Sequence, residues 1–190
     1  MTKNLILFLM IIFIGIAGYY FARFGYYPVA FVNGEMITAR ALQDEHAAAF
    51  QYYIRTLTQK PEFDPRSPEV QRELRRASLH DLVDKELISQ ELERRVGKDL
   101  GAAVAGRISG ANLDNKVLAD AAKLLYGLEL ADFKEMVLVP QAKKELLEGS
   151  LFLEQKKFDA WLAEAEAAAS VTILTPEFAW DKTKVVLRAK

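Results

Sequence analysis

Apolar positions in this chain form one unbroken run and then a series of periodic stripes. The run is residues 5–22, LILFLMIIFIGIAGYYFA, with no charge in it. At about 1.5 Å per helical residue it reaches about 27 Å, close to the roughly 30 Å of a bilayer's hydrocarbon core. Lys3 stands before it and Arg23 closes it, while Tyr19, Tyr20, Tyr26 and Tyr27 crowd its far end, where amphipathic rings favour the interface. The pattern predicts a single N-terminal transmembrane helix that meets lipid through residues 5–24. A cleavable signal peptide is the competing reading, since Lys3 makes a minimal basic region and Gly15-Ile16-Ala17-Gly18 offers small residues. The run exceeds a usual signal core, however, and no A-x-A follows it. A retained anchor with the carboxyl-terminal body outside the cytoplasmic membrane is the expectation, the orientation resting on Lys3 and the terminal amine against Arg23.

Beyond the anchor the periodicity is helical. Pro28 biases Tyr27 away from helix, Val29-Ala30-Phe31-Val32 is a short β-prone run, and Asn33-Gly34 is a turn dipeptide. Thr38 is placed as the N-cap of a helix whose stripe is Leu42, His46, Ala49, Phe50, Tyr53 and Leu57. Three prolines make 61–68 a loop, and Ser67 with Pro68 starts the longest helix of the body, closed by Gly97. The pattern weakens over 98–115. It returns at Val117, Leu118, Ala121, Leu124 and Leu125, stops at Gly127, and resumes at Phe133, Met136 and Val137, with Pro140 expected to kink or split that helix. Leu151, Phe158, Trp161, Leu162, Ala165 and Ala169 read as a last helix, and 170–174 as a second strand. Two lone strands at opposite ends of a helical body need partners, so 29–32 is expected to pair with 171–174.

Composition removes function classes. With 25 basic and 26 acidic residues the net charge is −1, so no field draws nucleic acid. Cysteine is absent, which excludes disulfides and thiolate chemistry. His46 lies on an apolar stripe and His80 among charges, and neither is given a ligand partner at i+3 or i+4. No metal, cofactor or catalytic residue is therefore expected. Carboxylate pairs such as Asp44-Glu45 and Glu91/Glu93 are read as solvated helix surface balanced by Lys and Arg. Phe50, Tyr53, Phe133, Phe158 and Trp161 fall at core periods. Tyr52, Phe63, Met136 and Phe152 are harder to bury, and Tyr52, Met136 and Phe152 are the candidate peptide-binding residues, because rings and a thioether adapt to many apolar shapes.

The run VAFVNGEMIT at 29–38, the helix after it, the proline-broken loop and LHDLVDKELI at 79–88 together resemble the N-terminal chaperone domain of SurA-type proteins. Tyr126-Gly127-Leu128, Asp132-Phe133 and the stretch from Phe158, Trp161 and Leu162 to Val171-Thr172-Ile173 are similar to that domain's return helices and closing strand. With an anchor in front, the arrangement is closest to PpiD-like membrane-anchored foldases. The resemblance implies a mainly α chain: one transmembrane helix (1–27 with its linker), a helical chaperone domain over 28–175 with a small two-stranded β element joining its ends, and a tail, 176–190. That tail is either free, or its Phe178 and Trp180 dock on the domain or touch the nearby membrane interface, where tryptophan is favoured.

The resemblance implies an extracytoplasmic holdase in the inner membrane. It would bind unfolded or exported polypeptides, near the secretion or envelope machinery, without catalysis. The prolyl isomerase domain usual in these families does not fit in the residues after the closing strand, and isomerase activity is not carried over. A structural or adaptor subunit of a membrane complex is the alternative.

Overall fold

The computed structural model describes residues 10, 12–13, 15, 18–57, 64–110 and 115–188. The expected span over 5–24 falls largely outside them, and among the described residues no helix is long and apolar enough to cross a membrane. Residues 18–23 are helical. The chain then turns at Gly25 (φ 72°), whose carbonyl accepts the Arg40 amide at 2.8 Å. A Cβ there would stand 3.0 Å from the Arg40 nitrogen. Ala39 likewise donates to the Tyr27 carbonyl at 2.9 Å, so the stem below the body is fastened to the start of its first helix.

β1 (Pro28–Val32) and β2 (Glu35–Thr38) form a hairpin over Asn33 (φ 53°) and Gly34 (φ 96°). Positive φ at both central residues is the turn whose twist matches antiparallel strands, and Asn-Gly is the pair that accepts it. β3 (Val171–Ile173) lies antiparallel on the other side of β1, with Ala30 opposite Ile173, Phe31 opposite Thr172 and Val32 opposite Val171. The two ends of the body thus meet in one sheet of order β2-β1-β3.

Helix α1 (Ala39–Leu57) starts where Thr38 Oγ1 accepts the Ala41 amide at 3.1 Å. α2 (Pro68–Val96) starts at Ser67, whose hydroxyl accepts the Val70 amide, and stops at Gly97 (φ 61°). α2 is the spine of the body. Its 29 residues extend about 43 Å, long enough to serve two cores. Leu79, Val83 and Leu87 pack with Val29, Ala30, Val32, Ile37 and Leu42, and also with Phe178 and Val185. Ile88 and Leu92 pack with Leu100, Val104, Ala142, Leu147 and Leu151. α3 (Leu100–Gly110) and α4 (Asn115–Ala121) follow. A π-helical stretch, Ala122–Tyr126, ends at Gly127 (φ 70°), and a short α5 (Leu130–Phe133) runs into a second one, Lys134–Leu138. α6 (Val139–Leu153) and α7 (Phe158–Ala168) complete the helices.

Several expectations are corrected. The β element is three-stranded, because Glu35–Thr38, read only as the approach to an N-cap, continues the hairpin that Asn33-Gly34 begins. At Pro140 the helical path changes type: the π-helical stretch Lys134–Leu138 gives way to α6, in whose first turn Pro140 stands, where a missing amide is tolerated. Leu151 belongs to α6, which runs through Gly149 and ends at Leu153, where Gln155 takes φ 59°. The tail is part of the core: β4 (Phe178–Trp180) and β5 (Val185–Leu187) form a second hairpin, with Phe178 and Val185 fully buried. A run of charges between two short apolar triplets hid it, because neither triplet is long enough to read as a strand.

Candidate functional site

α1 and α2 diverge from the two π-helical stretches, from the first turn of α6 and from α7, leaving an open cleft of about 430 Å³. That is within the roughly 300–1,000 Å³ of ligand pockets. Its apolar wall is Ala48, Ala49, Tyr52, Ile88, Tyr126, Met136, Val137, Pro140, Phe158 and Leu162. Tyr52 stacks on Tyr126 at 5.2 Å and 20°, and Tyr126 meets Phe133 at 5.4 Å. On the far side the Lys144 ammonium stands 5.0 Å from the centre of the Phe158 ring.

The sequence-derived candidates separate here. Tyr52 and Met136 line this cleft together. Phe152 does not: it sits at the end of α6 beside Leu153, the two 79% and 84% exposed, with Lys156 and Lys157 next to them. Phe63 lies outside the described residues. Tyr126, Phe158 and Leu162 were not singled out as binding residues. Tyr126 and Met136 both stand on π-helical turns, where an inserted residue rotates the succeeding side chains off the 3.6-residue stripe, so period reasoning cannot predict their direction. Gly127 directly after Tyr126 is the one local signal of a changed path.

One edge of the cleft is charged. Lys85 bridges Glu45 at 2.8 Å and Asp81 at 2.7 Å. Burial opposes the Lys85 charge, but Asp81 and Glu45 outweigh it and hold its pKa up. Burial likewise raises Glu45, against the pull of Lys85. Asp44 pairs with Arg40 at 3.5 Å on the exposed surface expected of it; Glu91 is paired with Arg94 and Arg95 as expected but, like Glu45, is largely withdrawn from solvent rather than solvated.

His80 departs from expectation, because it does have a partner at i+4. Its Nε2 lies 3.9 Å from Asp84 and 3.5 Å from Glu166 of α7. Asp84 is pushed up to about 8 by burial, then by Glu166 and Asp81. Burial holds His80 below the usual histidine range. Donor atoms of the three residues lie within 4.8 Å of one another, a spacing that accommodates a divalent cation, but one proton shared by the two carboxyls meets the same need for positive charge. The sequence signal, His80-x-x-x-Asp84, was present; its third member is 82 positions further on. His46, by contrast, is a core-edge histidine stacked on Phe50 and lowered by burial.

Chemically the cleft offers soft apolar surface with its ion pairs already satisfied. It can exclude water from apolar side chains without fixing one shape, and its lining shows no nucleophile poised against a base.

Comparison with curated proteins and with solved structures gave no match. Comparison with family models matched residues 2–112 to the SurA-like N-terminal domain, a chaperone-type module rather than a catalytic one. The matched segment carries the β1–β2 hairpin, α1, α2 and α3, hence the Tyr52 and Ile88 wall of the cleft, while the wall of Tyr126, Met136, Phe158 and Leu162 lies beyond it. Because the match spans more than half of the 190 residues, the chain belongs to the SurA-like N-terminal domain family.

Proposed function

We propose that this protein is a membrane-anchored holdase that shelters apolar segments of unfolded or exported polypeptides on the outer side of the cytoplasmic membrane. The observation that carries the reading is the open cleft between α1, α2 and α7, walled by Tyr52, Tyr126, Met136, Phe158 and Leu162, in a member of a chaperone-type family. Residues 5–24 supply the anchor. Tethering keeps the cleft at high effective concentration near chains emerging into that compartment. Binding is by apolar burial and needs no catalytic group.

The test is suppression of aggregation of a chemically unfolded client by the full chain in detergent micelles. Suppression at near-stoichiometric ratio, lost when Tyr52 and Met136 are both changed to Ser, is the expected result. No suppression at severalfold excess rejects the reading. The exposed pair Phe152 and Leu153 favours a second reading, an adaptor that holds one fixed partner. Stoichiometric co-purification of a single protein, abolished by Phe152→Ser and indifferent to Tyr52→Ser, would select it.

A further inference from the structure

α7 is a wall of the cleft that the cores hold loosely. None of its residues is fully buried. Ala165 touches the first core from its side, and Phe158 and Trp161 touch the second. Phe158, Leu162 and Glu166 recur every four residues and so share one face; the first two line the cleft, and the third reaches the cluster on α2. Any shift of Glu166 relative to α2 therefore moves Phe158 and Leu162 with it.

Among the described residues the cluster is short of positive charge. Around Asp84 and Glu166 stand Arg76, His80, Asp81 and Lys85 of α2, Glu45 of α1 and Asp181 of the β4–β5 turn. Arg76 is taken by Glu73 and by the carbonyl of Val185, and Lys85 by Glu45 and Asp81. Asp84 Oδ1 and His80 Nδ1 are buried with no hydrogen-bond partner among the described residues. The His80 imidazole thus stands 3.5–3.9 Å from two carboxyls of two helices, and oxygens of those carboxyls lie within 4.8 Å of each other, in partly buried surroundings where like charges repel strongly.

We infer that His80, Asp84 and Glu166 form a proton-operated latch that fixes α7 against α2 and sets the width of the cleft. With a proton on the carboxyl pair, the two groups share a hydrogen bond and α7 is held. When the proton leaves, two carboxylates face each other without a counter-cation, α7 moves out, and the cleft opens. The raised Asp84 value, about 8, puts this change at mildly alkaline pH. That opening releases a bound segment rests on the holdase reading; the latch itself does not.

Hydrogen exchange of the ligand-free full chain separates the two. Between about pH 6.5 and about pH 9, after correction for intrinsic exchange, the amides of α7 are expected to lose at least about tenfold in protection, the effect of one pKa unit of coupling. The amides of α6 serve as the internal reference and should change little. Glu166→Gln, and separately Asp84→Asn, should flatten the dependence, because a neutral amide keeps the hydrogen bond at every pH. Equal α7 protection at both pH values, or an undiminished loss in both variants, overturns the latch. So does protection that rises with zinc and falls with EDTA at constant pH, which would make a metal ion the occupant. Failure of client binding leaves the exchange result standing, so the two readings fall separately.

Discussion

The side-chain oxygen of Asn33 accepts the amide of Ser170 at 2.9 Å, and the Asn33 amide returns a bond of the same length to the Ser170 carbonyl. One residue in the first hairpin thereby clasps the end of α7 as it enters β3. Its Nδ2 also donates to Gln90 of α2 at 2.8 Å. Asn33→Gly keeps the positive φ and removes only the side-chain bonds, so it should cost about 1–2 kcal/mol in urea unfolding. Asn33→Ala adds a left-handed backbone strain of about 1 kcal/mol and should cost more. If Asn33→Gly is as stable as the parent, the clasp contributes nothing.

Phe178 makes the C-terminal hairpin a structural element of the body. Its ring is fully buried among Leu79, Val83 and the β1 residues of the first core, and Arg76 ties the hairpin down through the carbonyl of Val185. Phe178→Ala should destabilise by about 3–5 kcal/mol. Truncation after Pro176 should do at least as much, read as a lower urea midpoint. An unchanged midpoint on truncation would mean that the body folds without the hairpin.

How far the sequence revealed all this depends on the range of each signal. Local signals held: Thr38 and Ser67 cap their helices, Gly97 ends α2, and the short β-prone runs 29–32 and 171–174 located the strands that join the ends. Signals set by packing did not. Phe178 and Val185 lie in triplets too short to announce strands, and their burial depends on a surface of α2 a hundred residues away. The site was half legible. Tyr52 and Met136 could be picked as apolar residues that the stripes do not bury, and they do share the cleft. Phe152 satisfied the same criterion and is elsewhere, because the criterion detects exposure and says nothing of neighbourhood. The latch was missed because Glu166 comes from another helix, although His80 and Asp84 stand four apart in plain view.

Tyr52 and Met136 offer a direct comparison with Phe152. Both sets are accessible apolar side chains, but only the first lines the cleft. Tyr52→Ala with Met136→Ala should weaken a fluorescent apolar peptide at least about tenfold, or about 1.4 kcal/mol, measured by anisotropy. Phe152→Ala should leave its affinity within about twofold. The opposite ranking would move the site to the end of α6. Stability should barely respond to Phe152→Ala, since its ring is largely in solvent.

Stability should depend on pH through groups of opposite sign, His46 and His80 on one side, Asp84 and Glu45 on the other. His46 and His80 sit below their ordinary value of 6.5, burial being the first cause for both. The unfolded chain therefore takes up protons that the folded chain refuses, and stability is lost as pH falls below about 6.5. Asp84 is raised from 3.8 to about 8 by burial and by Glu166, so the folded chain keeps a proton that the unfolded chain has released. That contribution is complete at acid pH and declines as pH rises from about 4 through about 8. Glu45, raised by burial, adds to the same decline at its acid end. Below about 6.5 the acid limb of the two histidines runs against the Asp84 trend; from there up to about 8 the decline is that of Asp84, an alkaline limb no steeper than about 1.4 kcal/mol per pH unit. Urea midpoints taken across this range should show Asp84→Asn removing the alkaline limb and His46→Gln reducing the acid one. An alkaline limb that survives Asp84→Asn would assign the buried proton to another group.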